Sequence, residues 1–170
     1  MTTSLVLSSV LTGLLATAVM LVFLYLPLLW NGVYYDTLAA IGSLWTRESN
    51  DRSRLLGAIV LFAGGVLFAA FYGAFVLMFM LESGGFRGVP YVIFPNAPTT
   101  IDLFFPLLGL VGGFGQGIFM SLITSFMITD FHPLERFRDP FPLILSFLVG
   151  HTVYGVVVMF FQHQLLQLLI

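Results

Sequence analysis

The sequence has no cysteine, which excludes disulfides, iron–sulfur clusters and thiolate metal sites. It also has no lysine, since all six basic residues are arginines; we read this as a compositional bias with no mechanistic content. Charge of either sign is scarce. Six basic and eight acidic side chains make up 8% of 170 residues, against about a quarter in soluble domains. So few charges cannot cover a water-exposed surface. The net charge of −2 argues against nucleic acid as a partner.

Apolar side chains are plentiful, at 59% of the chain, and 19 phenylalanines raise the aromatic share to 16%. They fall in four runs, Leu5–Trp30, Leu55–Leu81, Leu103–Thr129 and Phe141–Phe161. A helix needs about 20 apolar residues to cross a hydrocarbon core of roughly 30 Å. The expected fold is therefore all-α, a single integral membrane domain over residues 1–170 built as a four-transmembrane-helix bundle. Three runs exceed the minimum, so tilt or projection past the lipid is expected. The fourth could continue through Gln162, His163, Gln164 and Gln167 as a polar, interfacial end. The first run has no Lys or Arg before it and is too long for a signal h-region, so we expect it to be retained as a helix.

Arginine placement predicts orientation. Arg47, Arg52 and Arg54 follow the first run and Arg136 and Arg138 follow the third, whereas the second connection has Arg87 and both tails have none. The positive-inside bias puts loops 1 and 3 in the cytoplasm and both termini outside. In loop 1, Tyr34, Leu38, Ile41 and Trp45 recur at helical spacing, which predicts a short interfacial helix. Loop 2, over 83–100, is rich in Gly and Pro and reads as irregular; Thr99 before Asp102 reads as a cap of the third spanning helix. Loop 3 gathers Asp130, His132, Glu135, Arg136, Arg138 and Asp139, and predicts a compact turn laced with ion pairs.

The second and fourth runs resemble each other. Phe71-Tyr72-Gly73 parallels Val153-Tyr154-Gly155, and an Arg-x-Arg pair precedes each. The first and third share a glycine seven positions before a methionine, Gly13 to Met20 and Gly113 to Met120. Two readings stand: chance similarity of apolar helices, or two tandem hairpins related by an axis along the membrane normal.

The strongest local pattern is Gly109, Gly113 and Gly117, with Gly112 and Gly115 between them. Stacked glycines allow close backbone approach, so a helix-packing seam is expected, with Gly150 and Gly155 as further small packing positions; a groove for a flat ring or lipid tail is the alternative. His151 lies about ten residues into the last run, roughly 15 Å from its start, and an ionisable group at that depth is a functional candidate. It could ligate haem iron or a chlorin magnesium, relay protons or bind substrate. The structural reading is a neutral imidazole held by interhelical hydrogen bonds to Gln116, Thr124 or Thr17. With Tyr154, these make up the intramembrane polar set. Were they to converge with Ser121 and Ser125, a polar path through an oligomeric transporter or channel would result. The phenylalanines suit lipid and core packing, or a surface for subunits, quinone tails or carotenoid-like pigments.

No carboxylate lies inside a span, Glu82 and Asp102 sit at its ends, and His132 and His163 fall on opposite faces. An enzyme and a metal site are therefore not expected. Gly13-Leu-Leu-Ala16-Thr17 with Met20, Gly64-Gly65 before Tyr72, the glycine row and His151-x-x-Tyr154-Gly155 together resemble an uncharacterised family of small prokaryotic four-helix integral membrane proteins. The resemblance implies a fold, a prokaryotic plasma membrane and no activity. Members of that family often carry a histidine in the second helix, and Gly64 to Phe71 has none. The expectation at this point is a structural or accessory subunit of a larger membrane complex in respiratory or photosynthetic electron transfer, partnered by lipids and other membrane subunits. A small transporter or channel, and a haem- or pigment-binding protein using His151, are the alternatives; no cofactor is predicted beyond lipid.

Overall fold

A computed structural model describes residues 2–32, 34–82, 91–92 and 101–169. They form α1 (Thr2–Tyr25), α2 (Thr37–Thr46), α3 (Asp51–Glu82), α4 (Phe104–Phe131) and α5 (Pro140–Leu169). A 3-10 turn, Leu26–Trp30, extends α1, and the two-residue strands Tyr91–Val92 and Ile101–Asp102 pair before α4. Helices α1, α3, α4 and α5 are each long and apolar enough to cross a membrane. The chain is an all-α bundle and an integral membrane protein.

Capping sets several helix ends beyond the apolar runs. Asn50 and Ser53 exchange reciprocal bonds, Ser53 N–H to Asn50 Oδ1 at 3.0 Å and Asn50 N–H to Ser53 Oγ at 3.1 Å. This capping box starts α3 at Asp51. Asp139 accepts the Phe141 N–H at 3.1 Å, and Pro140 opens α5, where its missing donor costs nothing. The expected cap of α4 differs: Asp102 lies in a strand, Leu103 takes the cap position without a side-chain bond, and Thr99 is outside the described residues. Most of loop 2, including Arg87, also lies outside them.

The close seam of the bundle joins α4 to α5. A Cβ at Gly113 would overlap the His151 carbonyl and approach Gly155 Cα to 3.0 Å, and one at Gly109 would overlap the Gly155 carbonyl. A Cβ at Gly117 would meet Leu148 Cα at 3.0 Å. Backbones at this separation gain dispersion and Cα–H contacts that no larger residue permits. Helix α1 packs on both α3 and α5, with a Gly13 Cβ reaching Val66 Cα at 2.7 Å on one side. A Gly150 Cβ would meet Met20 Cγ at 3.2 Å on the other. Helices α3 and α4 barely touch.

Helix α2 is tucked into the bundle. Its buried residues are Thr37, Ala39, Ala40, Ile41, Gly42 and Ser43, while Trp45 is exposed. The inward face is thus mostly small, and of the stripe read from the sequence Ile41 is buried, Leu38 half-buried and Trp45 exposed. A Cβ on Gly42 would overlap the Ser53 carbonyl, and one on Gly57 the Leu38 carbonyl, so α2 and α3 cross at backbone contact.

The turn after α4 is not laced with ion pairs. Among the described residues, ion pairs join Arg54 to Asp36 and to Asp51, and both lie at loop 1. His132 organises the turn instead. Its Nδ1 accepts the Leu134 N–H at 3.0 Å, which leaves the proton on Nε2 to be donated to the Ala40 carbonyl at 3.0 Å. Tyr35 donates its hydroxyl to the Phe137 carbonyl at 3.1 Å, and burial raises its pKa above the usual phenol value, keeping it a donor. These bonds fasten loop 1 to loop 3 at one end of the bundle.

At the opposite end, the polar tail of α5 divides: Gln164 is half-buried and Gln167 exposed, whereas Gln162 and His163 turn into the bundle. Gln162 is fully buried. It accepts the Thr12 hydroxyl at 2.5 Å and donates to Ser8 Oγ at 2.8 Å. His163 is buried and stacks on Phe105 at 4.0 Å. Helix α5 thus continues past the apolar run through Gln167, as the sequence allowed, and ends at Leu169.

Candidate ligand chamber within the bundle

Polar atoms inside a span are costly unless they are bonded, so each of the intramembrane polar residues has to be accounted for. Thr17, Gln116, Thr124, His151 and Tyr154, from α1, α4 and α5, line one partly open chamber of about 230 Å³. Trp45 and Ile41 of α2 close it at the loop-1 end, and Phe68 belongs to its wall. Ser121 and Ser125 do not line it; Ser121 donates to the Ile144 carbonyl at 3.2 Å and so joins α4 to α5.

Within the chamber the polar groups divide into paired and unpaired atoms. Tyr154 donates to the Gly65 carbonyl at 2.5 Å, Tyr72 donates to Gln116 Oε1 at 2.9 Å, and Thr124 donates to the Met120 carbonyl. His151 does not bond Gln116, Thr124 or Thr17, contrary to the expected interhelical pairing. Its Nδ1 meets the Phe147 carbonyl, one turn back on its own helix, at 2.8 Å. A carbonyl only accepts, so the Nδ1 carries the proton and Nε2 is left as a lone-pair acceptor. The ring is held by Phe147, stacked at 5.5 Å, and by Phe68, edge-on at 6.5 Å. Thr17 Oγ1 and Gln116 Nε2 are buried without a hydrogen-bond partner. The residues around this largely apolar chamber therefore carry two buried unpaired donors and one open acceptor, all uncharged.

A second cavity adjoins it. Phe68, Phe71, Tyr72 and Phe75 of α3 and Leu108, Val111, Gly112, Gly115 and Phe119 of α4 enclose a cleft of about 670 Å³. Phe68 and Gln116 line both spaces. The glycine-rich helix thus has two small faces: Gly109, Gly113 and Gly117 meet α5, whereas Gly112 and Gly115 floor the cleft. Nothing lies within 4 Å of a Cβ built on Gly115.

His163, outside this chamber, is twelve positions from His151 on α5, or about 18 Å by the helical rise. Among the described residues, no group of three or more histidine or acidic side chains could hold a metal ion. Reading the sequence missed the buried cluster of Ser8, Ser9, Thr12 and Gln162. The four-residue spacing of Ser8 and Thr12 on one apolar helix was the signal that could have found it. No family model, curated protein or solved structure matches this chain.

Proposed function

We propose that this chain is a small integral membrane protein that holds a lipid-soluble ligand inside the bilayer, its polar head in the His151 chamber and its apolar body in the α3–α4 cleft. One observation carries the reading: two buried polar atoms without partners, Thr17 Oγ1 and Gln116 Nε2, and the open Nε2 of His151 belong to residues of three different helices that line a single chamber adjoining an aromatic cleft. Buried polar atoms without partners are rare in folded proteins, and a ligand's head would supply the missing bonds. A chamber of 230 Å³ falls below the roughly 300–1,000 Å³ of whole-ligand pockets. It suits a head group and is too small for a haem or chlorin macrocycle beside His151. The bundling of loops 1 and 3 at one end, with five of the arginines, supports a cytoplasmic placement of that end.

Gly115→Phe tests the reading, because the new ring would fill the cleft without striking the backbone. Native mass spectrometry of gently extracted wild-type protein should show a bound lipid-sized adduct. The variant should elute at the same size and lose that adduct. An adduct retained in full, or none on either protein, would overturn the proposal.

A second reading, an accessory subunit of an electron-transfer complex, is favoured by the exposed phenylalanines of α4 outside the cleft, Phe114, Phe126 and Phe131. Native gels in mild detergent distinguish it: a lone species near 19 kDa plus detergent counts against a partner complex.

A further inference from the structure

We infer that the ligand is a neutral lipid alcohol, a long apolar body ending in a single hydroxyl. This deepens the proposed function and rests on it. The unpaired polar atoms of the residues that line the chamber are the Thr17 hydroxyl, the Gln116 amide N–H and the His151 Nε2 lone pair. One hydroxyl has one hydrogen to donate and two lone pairs to accept. Donating to His151 Nε2 and accepting from Thr17 and Gln116, one hydroxyl would match the donor and acceptor inventory of all three. A carbonyl or ether has no hydrogen and leaves the imidazole unpaired. A phosphate or carboxylate brings a charge that no cation in the chamber offsets, since none of its lining residues is an arginine. The body follows from the cleft: Phe68, Phe71, Tyr72 and Phe75 face a floor of Gly112 and Gly115, a wall of flat rings suited to a branched or unsaturated chain.

The amide of Gln116 is already oriented for this. Tyr72 occupies its Oε1, so the N–H₂ end is what remains for the chamber. His151 is likewise fixed with Nε2 open by the Phe147 carbonyl. Both are set by protein partners, Tyr72 and Phe147, before any ligand arrives, which lowers the ordering cost of binding.

The test uses three matched probes on the detergent-purified full chain: tritiated geranylgeraniol, its O-methyl ether and the parent hydrocarbon, compared by scintillation proximity. The alcohol should bind about tenfold tighter than the ether, the difference expected for one buried hydrogen bond. His151→Phe should weaken the alcohol about tenfold and leave the ether unchanged, so that the two converge. Thr17→Val, which keeps shape and removes a donor, should weaken alcohol and ether alike and covers the case in which His151→Phe fails to fold. Equal affinity for alcohol and ether in the wild type would overturn the alcohol assignment while leaving the cleft as a lipid site. Saturable binding of none of the three would remove the site itself. Tighter binding of a fatty acid or a phospholipid than of the alcohol would assign the chamber to a charged head and also overturn the inference.

Discussion

The α1–α5 and α3–α4 interfaces hold equivalent places in the bundle but are built differently. If α1 corresponds to α4 and α3 to α5, as the sequence repeat suggests, then a twofold axis would map one interface onto the other. The tyrosines of the repeat do meet: the rings of Tyr72 and Tyr154 lie 6.2 Å apart. The glycines correspond as well, Gly13 abutting α3 and Gly113 abutting α5. Yet α1 and α5 are in close contact, while α3 and α4 stand apart around a cleft. The cleft is the place where the bundle departs from such a twofold arrangement.

Side chains explain the break. Helix α1 offers Ser8, Ser9, Thr12, Ala16 and Met20 to α5, all buried, and Gln162 stitches three of them by hydrogen bonds. At the matching place α3 offers Phe68, Phe71, Tyr72 and Phe75 against the glycines of α4. Large rings opposite absent side chains leave a trough between two helices. The lesson is that α4 does not need α3: its seam with α5 fixes its position, so the α3 side is free to stay open.

The largest expected effect comes from breaking that seam. Gly113→Leu would drive a side chain into the His151 and Gly155 backbones, which cannot move aside as a flexible side chain could. A destabilisation of more than about 3 kcal/mol is expected, read as loss of the monodisperse peak in fluorescence-detected size exclusion. Unchanged accumulation and elution would mean that α4 is held elsewhere, and the contrast between the interfaces would lose its foundation.

A smaller effect is expected at the closed interface. Gln162→Leu removes the bonds to Ser8, Ser9 and Thr12 but leaves Thr12 its own fallback, the Ser8 carbonyl at 2.8 Å. Interhelical side-chain bonds in membranes are worth about 1–2 kcal/mol at most, so a loss near 1 kcal/mol is expected in reversible SDS unfolding. No change would show that small-residue packing alone closes α1 onto α5.

How much of this was legible in the sequence follows from what each feature depends on. Spans and their count come from hydropathy, which is local, and so does the glycine row. The polar set of Thr17, Gln116, Thr124, His151 and Tyr154 was legible because polar atoms at mid-span stand out against an apolar background. Their bonding was not: His151 turned to Phe147 on its own helix, a backbone option that no spacing announces. Gln162 was misread because a glutamine near the end of a span looks the same whether it meets headgroups or Thr12. Helix adjacency was the least legible, since the period of a helix shows which face is apolar and not which neighbour covers it. The inward face of α2 was missed for a related reason: Ala39, Ala40 and Ser43 carry little hydropathy, yet small size is what lets α2 cross α3 at Gly57.

The smallest energetic effect, and the sharpest probe of the open interface, is Tyr72→Phe. The Tyr72 hydroxyl and Gln116 Oε1 form a bond between α3 and α4 at 2.9 Å, at the boundary between cleft and chamber. Its loss should cost only about 0.6 kcal/mol, below what most unfolding assays resolve. The change in spacing is measurable instead. Because the chain has no cysteine, spin labels can be placed cleanly, one pair at Phe71→Cys and Val111→Cys across the cleft and another at Val10→Cys and Phe161→Cys on α1 and α5. These four side chains are solvent- or lipid-accessible. In the Tyr72→Phe background the cleft pair should broaden or lengthen on the order of 1–2 Å, the scale of packed-helix shifts, while the α1–α5 pair stays put. Equal behaviour of both pairs would mean that the cleft's width is fixed by the α4–α5 seam alone, and that the tyrosine orients Gln116 without holding α3 to α4.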